Sequence, residues 1–262
     1  MRFLPLFLCF FLSFPAVVQA REIRVAIGAH YQTGDSPVGA QRGGLSAFNE
    51  DLAQAICRRI NARCVTVNVK FGEILPGIEA DKYQLGFGNF LRTPEREAQV
   101  AFSDAIWRSS SRLVALPATA QRFAAEYGAD VGLDNLRNAR IVVVLETQQN
   151  RYLQAALSSR RSLTLLSATT YVEAFALLRT NQADFALLPM LSAYTQMAQE
   201  SAGQLEFFGT PEAGRGLGGT VHIALPKTDA ALLASVNKAI AALRADGTYH
   251  RIERRYFPFS LE

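Results

Sequence analysis

The sequence predicts an α/β fold in two lobes, each a mainly parallel sheet flanked by helices. Three observations carry that expectation. Short β-branched or apolar runs alternate with segments of helical period, the pattern of parallel strands joined by crossover helices. About 240 residues follow an N-terminal leader, more than one ordinary core holds, so one large domain or two lobes are expected. Finally, one helix–turn–strand unit occurs twice, one hundred positions apart. Phe71-x-Glu73-x-Leu75-x-x-Ile78 with Leu85-Gly86-Phe87 is echoed by Tyr171-x-Glu173-x-Phe175-x-x-Leu178 with Phe185-Ala186-Leu187, as if used once per lobe.

The leader comes first. One arginine, a run of mostly Leu and Phe over residues 3–14, and the small-residue site Val18-Gln19-Ala20 read as a secretory signal cleaved after Ala20. Pro5 and Pro15 interrupt the run, which is too short to span a bilayer. Cys9 has no small residue before it and is expected to leave with the signal.

Ile23–Ile27 is a β-branched strand, and residues 49–61 place Leu52, Ile56 and Ile60 on one helical face. A strand over 65–69, a helix over 74–80 and a strand over 85–88 complete the first series. The order recurs as strand 141–145, helix 148–157, strand 163–166, helix 170–180 and strand 184–188. A strand over 220–225 leads to Asp229, a helix cap before the stripe Leu232, Leu233, Val236, Ile240 and Leu243. Asp246-Gly247 ends that helix and another covers 248–257. In a two-lobed protein this tail returns to the first lobe. The expected division is residues 1–20 as signal, 21–113 plus 219–262 as lobe one and 114–218 as lobe two, with two crossing strands as the hinge.

Several chemistries are excluded. The net charge of +4 comes from scattered Lys and Arg without a basic tract, so nucleic acid is not an expected partner. The three histidines, His30, His222 and His250, lie far apart and outside any metal or nucleophile motif; no metal, catalytic residue or cofactor is expected. Gly214-Arg215-Gly216-Leu217-Gly218-Gly219 matches G-x-G-x-x-G but precedes a strand instead of opening a helix, so the dinucleotide reading fails. Cys57 and Cys64 remain after processing. In an exported chain the pair is expected to form a disulfide, since no His or third Cys stands by to complete a metal site.

The positive signal lies in residues 83–104. A buried strand ends at Gly88, a polar turn containing Asn89 follows, and Thr93 with Pro94 is placed to start a short helix. Ligands of open α/β folds sit at the carboxyl ends of strands. Arg96 in such a turn can grip a carboxylate with two parallel hydrogen bonds.

At this point the chain resembles the periplasmic binding proteins of polar amino-acid ABC transporters, closest to the histidine and lysine/arginine/ornithine binders. The resemblance spans the mature chain. It rests on Ala47 to Cys64, on Thr93-Pro94-Glu95-Arg96 with Phe102-Ser103-Asp104, and on Arg244-Ala245-Asp246-Gly247-Thr248-Tyr249 with Tyr256-Phe257. It implies the two-lobed periplasmic binding protein fold, a periplasmic location, a small-molecule ligand, a permease partner in the inner membrane and a monomer. Arg96 falls where the family holds the ligand α-carboxylate. Tyr31 and Phe71 fall where the ligand is flanked, while Thr147 and Gln148 open a helix whose N-terminus adds donors.

Departures are also visible. Pro189 stands where the resemblance implies an Asp for the ligand amine, Leu91 where it implies a hydroxyl, Gly28 where it implies an Asp for basic side chains, and Glu146 where it implies a Gly. The expected function is capture of a small carboxylate-bearing ligand, an amino acid or derivative, for an importer. Two alternatives stand beside it. One is a metal-independent enzyme similar to cyclohexadienyl dehydratases, with Glu146 or Glu173 as its acid; the other is a sensory or accessory binding protein serving a periplasmic receptor or dehydrogenase.

Overall fold

Ile23, Val25 and Ile27 alternate into the centre of a sheet, and the strand they build is the axis of the first lobe. The computed structural model describes residues 21–29, 44–156, 162–199 and 205–261. The leader with its Ala20 cleavage site, and Tyr31, lie outside the described residues.

The chain runs β1 (Arg21–Ala29), α1 (Gly44–Arg59), β2 (Ala62–Lys70), α2 (Phe71–Glu79), β3 (Leu85–Leu91), α3 (Pro94–Gln99), β4 (Ala101–Phe102) and β5 (Trp107–Ser109). It continues through β6 (Ser111–Ala115), α4 (Pro117–Tyr127), β7 (Ala139–Val144), α5 (Gln148–Ala156), β8 (Leu163–Ala168), α6 (Tyr171–Arg179), β9 (Phe185–Pro189), α7 (Met190–Gln199) and β10 (Glu206–Glu212). It closes with β11 (Gly219–Leu225), α8 (Ala230–Ala245) and α9 (Thr248–Tyr256).

Two sheets result. In the first, β1 lies between β2 and β3, and β11 follows with β4 and β5 on its far side. In the second, β7 lies between β8 and β9, followed by β6 and β10. Each has a parallel half, β2-β1-β3 or β8-β7-β9, and an antiparallel half built on the strand that enters from the other lobe. The sheets are therefore mixed where mainly parallel ones were expected. The chain crosses over and returns, so the incoming strands β6 and β11 run against their neighbours. The hundred-residue echo is real in the fold: α2 and α6 are each nine residues long, and each leads to the interior strand, β3 or β9, that joins the parallel half of its sheet to the antiparallel half.

Both faces of each sheet are covered, which is why interior strands such as β7 and β9 read as near-continuous apolar runs while the edge strand β2 does not. On the first sheet Phe48, Leu52 and Ile56 of α1 pack with Val236, Ile240 and Tyr249 of the last two helices, while Ile74 and Ile78 of α2 cover the other face. On the second, Phe123 and Leu153 cover one face, Phe175 and Leu178 the other. Cys57 and Cys64 form a disulfide with Cα atoms 5.8 Å apart, tying the last turns of α1 to β2.

The chain passes between sheets at Ser110 and again over residues 213–218, the latter containing the glycine-rich run that mimicked a dinucleotide motif. Ser111 to Leu113, assigned from sequence to lobe one, pair instead with Pro189, Leu188 and Leu187 of the second sheet. Here β5 and β6 are three and five residues long, too short to show a period. The elements over 117–127, 190–199 and 206–212 were also not foreseen. Helix α7 leans back on the first lobe: Leu191 joins its core, and the Tyr194 ring meets Phe259 at 5.2 Å. On β11 the buried His222 holds Ser103 O through Nδ1 at 2.7 Å and Thr220 Oγ1 through Nε2 at 2.8 Å.

Candidate functional site

The carboxyl ends of β3 and β9 face the same gap. Strand β3 runs three residues further than its sequence suggests, carrying Asn89 and Leu91 within it. Asn89 has a left-handed backbone (φ 56°), which Asn tolerates better than most residues. Its Oδ1 accepts from Asn49 Nδ2 on α1 at 3.2 Å.

The turn after β3 works as its residues suggest. Thr93 is extended, its hydroxyl accepts from Arg96 N, and Pro94 takes the first helical position of α3. Arg96 is thereby turned back under the strand. Nη1 donates to Leu91 O at 2.9 Å, and the guanidinium lies 5.1 Å from the Phe90 ring centre and 5.8 Å from that of Phe71, within cation–π range. Only 6% of the residue is exposed. Burial, reinforced by the like charge of Arg151 and opposed by Glu95, presses its pKa down to about 10, so it remains a cation at neutral pH. Among the described residues no carboxylate forms an ion pair with it.

The opposite wall comes from the start of α5. Thr147 Oγ1 donates to Val144 O at 2.6 Å and accepts from Asn150 N at 3.2 Å, capping the helix. The first-turn N–H groups of α5 have no intrahelical acceptor and point out of the helix end. Gln148 Nε2 is buried and has no hydrogen-bond partner among the described residues. Gln149 Nε2 donates to Ser111 Oγ, which donates in turn to Leu217 O.

Between these walls lies a small cavity of about 40 Å³, so the walls must part to admit anything larger than a few waters. Phe71, Gly88, Asn89, Leu91, Arg96 and Ser109 line it from the first lobe. Thr147, Gln148, Gln149, Tyr171, Pro189 and Ser192 line it from the second. The five expected positions Phe71, Asn89, Arg96, Thr147 and Gln148 thus meet on one cavity, and Tyr31 falls outside the described residues. Tyr171, Gln149, Ser109 and Ser192 were missed. The echo that pairs Phe71 with Tyr171 was the available signal for the tyrosine, whose phenol is pushed up to about 12 by burial.

The departures have physical counterparts. A Cβ on Gly28 would stand 3.1 Å from Ile74 Cδ1 and 3.2 Å from Phe87 O, so a longer side chain there needs neighbours to move. Glu146 has a left-handed backbone (φ 64°), and its carboxylate sits where a Cβ on Gly72 would be, bridging from lobe two to the first turn of α2. Glu173 closes a capping box on α6: its carboxylate accepts from Thr169 N at 2.6 Å and from the Thr169 hydroxyl at 2.7 Å, bonds that hold it below the usual carboxylate range. Neither glutamate lines the cavity, so neither is placed as the acid of a dehydratase.

The family model for bacterial extracellular solute-binding proteins, family 3, matches residues 23–259. The ABC transporter arginine-binding protein 1 of Escherichia coli K12 is 28% identical over 247 residues, covering 91% of this chain and 92% of the relative. The histidine-binding periplasmic protein of the same organism is 26% identical over 257 residues, covering 95% and 92%. An ancestral arginine-binding protein bound to glutamine superposes with a TM-score of 0.73 at 21% identity, covering 92% of this chain and all of that one.

Proposed function

Since the chain belongs to the bacterial extracellular solute-binding proteins of family 3, we propose that it captures a small carboxylate-bearing ligand, an amino acid or derivative, for an ABC importer. It does so in the periplasm, after its leader is removed behind Ala20, and hands the ligand to an inner-membrane permease. Its relatives include proteins named for binding arginine, lysine, ornithine or histidine, which supports this reading.

One observation carries it. Arg96 is a buried cation in a cavity between two lobes, and no carboxylate of the described residues neutralises it. A buried charge without a partner is costly, and a ligand carboxylate removes that cost with charge-assisted bonds. In the open form Arg96 holds the carboxylate on lobe one. Closure then brings the α5 N-terminus over the ligand, and the ligand stabilises the closed form by its extra contacts there.

Calorimetry against a panel of carboxylates, with scattering on the same samples, tests the proposal. The bound protein should show a smaller radius of gyration. Arg96→Ala should lose at least about 2 kcal/mol of affinity, the scale for truncating one side of a buried charge pair. A ligand held equally well by Arg96→Ala, or a scattering profile unchanged at saturation, would sink the reading.

A further inference from the structure

The charge of the cavity is one-sided. Its described lining holds one cation, Arg96, and no Asp or Glu. Arg151 on α5, one turn beyond Gln148, acts on Arg96 as a like charge, and Glu95 opposes both. Arg96 is thus the one charge on the described lining, while Arg151, Glu95 and the Glu146 that crosses from lobe two to Gly72 stand outside it. The neutral groups favour an anion: Gln148 Nε2 is a buried donor without a partner among the described residues, and the N-terminus of α5 faces the same space.

Among the described residues of the lining nothing comparable awaits an ammonium group. Pro189, at the end of β9, offers no side-chain acceptor and no N–H. Asn89 Oδ1 already accepts from Asn49, and Ser111 Oγ serves Gln149 and Leu217. The remaining oxygens of the described lining are neutral hydroxyl, amide and backbone carbonyl groups, which offset the lost hydration of a buried ammonium less well than a carboxylate does. Phe71, Leu91, Tyr171 and Pro189 supply apolar surface for the body of the ligand.

We infer that the ligand is a carboxylic acid without a free ammonium group: an N-acylated amino acid, or a 2-oxo or 2-hydroxy acid with an apolar body. This rests on the capture function proposed above and narrows its ligand class. The free zwitterionic amino acid is the poorer ligand, because its carboxylate is satisfied and its ammonium is stranded.

Matched pairs test it on the mature protein by thermal shift and calorimetry. The probes are phenylalanine against N-acetylphenylalanine and phenylpyruvate, and glutamine against N-acetylglutamine. The acylated or oxo member of a pair should bind at least about tenfold more tightly than its parent, and Arg96→Ala should abolish the difference. Pro189→Asp, which puts a carboxylate into the lining, should move the preference toward the parent amino acid. Parents that bind as well as their partners, in an Arg96-dependent way, overturn the ligand class and leave capture standing. An unchanged preference in Pro189→Asp also overturns the class. If no carboxylate binds at all, class and capture fall together.

Discussion

The amide of Gln149 donates to the hydroxyl of Ser111 at 2.7 Å, joining the cavity wall to the first strand beyond the crossing at Ser110. The same hydroxyl donates to Leu217 O in the second crossing. One buried hydroxyl therefore links a cavity residue to both connections between the lobes. Ser111→Ala leaves a buried donor and a buried carbonyl unsatisfied, which should cost about 1–3 kcal/mol. A urea titration should show a lower midpoint with an unchanged slope, and an unmoved midpoint would count against the link.

The Cys57–Cys64 bridge closes a short loop between α1 and β2. By the loop-entropy estimate it contributes on the order of 2–3 kcal/mol. Thiol titration of denatured, unreduced mature protein should find no free cysteine, and the double Cys57→Ala, Cys64→Ala protein should unfold at a lower denaturant concentration. Two titratable thiols would refute the bond.

Burial pushes the His222 imidazole below its ordinary value of 6.5, although the Ser103 carbonyl and Asp104 pull the other way. The unfolded chain therefore binds the proton at a higher pH than the folded one. The stability that His222 contributes is present above pH 6.5 and is lost as pH falls from there through the folded-state pKa. Denaturation midpoints of wild type should drop as the pH falls below 6.5 through the lower folded-state value. His222→Gln should show a shallower slope over that window. Equal slopes would show that other groups govern it.

Glu146 combines an unfavourable backbone with a contact across the cleft to Gly72. A left-handed conformation costs a non-glycine residue roughly 1–2 kcal/mol, and helix α2 gains a negative group at a first turn that Lys70 does not cap. Glu146→Gly should hold or raise the unfolding temperature, because the backbone strain goes. It should also enlarge the ligand-free radius of gyration, because a bridge between the lobes goes with it. A less stable variant of unchanged dimensions would refute both expectations.

Much of this was readable in the residues. Thr93 and Pro94 announced the cap that turns Arg96 inward, and the periods of 49–61 and 230–243 announced helices that cover the first sheet. What stayed hidden was non-local. Strands β5 and β6 are too short to carry a period, and only their pairing with β11 and β9 defines them. Ser109, Ser192 and Gln149 have no motif, because their place on the cavity depends on how two lobes meet. Tyr171 was within reach through its match with Phe71, but the echo reads equally as core packing until both rings are seen on one cavity.

That match has a further consequence. The two lobes present equivalent strand ends, Asn89 with Pro189, yet the position one hundred beyond Arg96 is the uncharged Gln196. If Arg96 holds the ligand as proposed above, that ligand has a head and a tail: its charged end is engaged by lobe one while the jaws are apart, and lobe two arrives late and meets the rest. Changes in the first lobe therefore act on the arrival rate and on which molecules are admitted. Changes in the second act on how long an admitted molecule is kept.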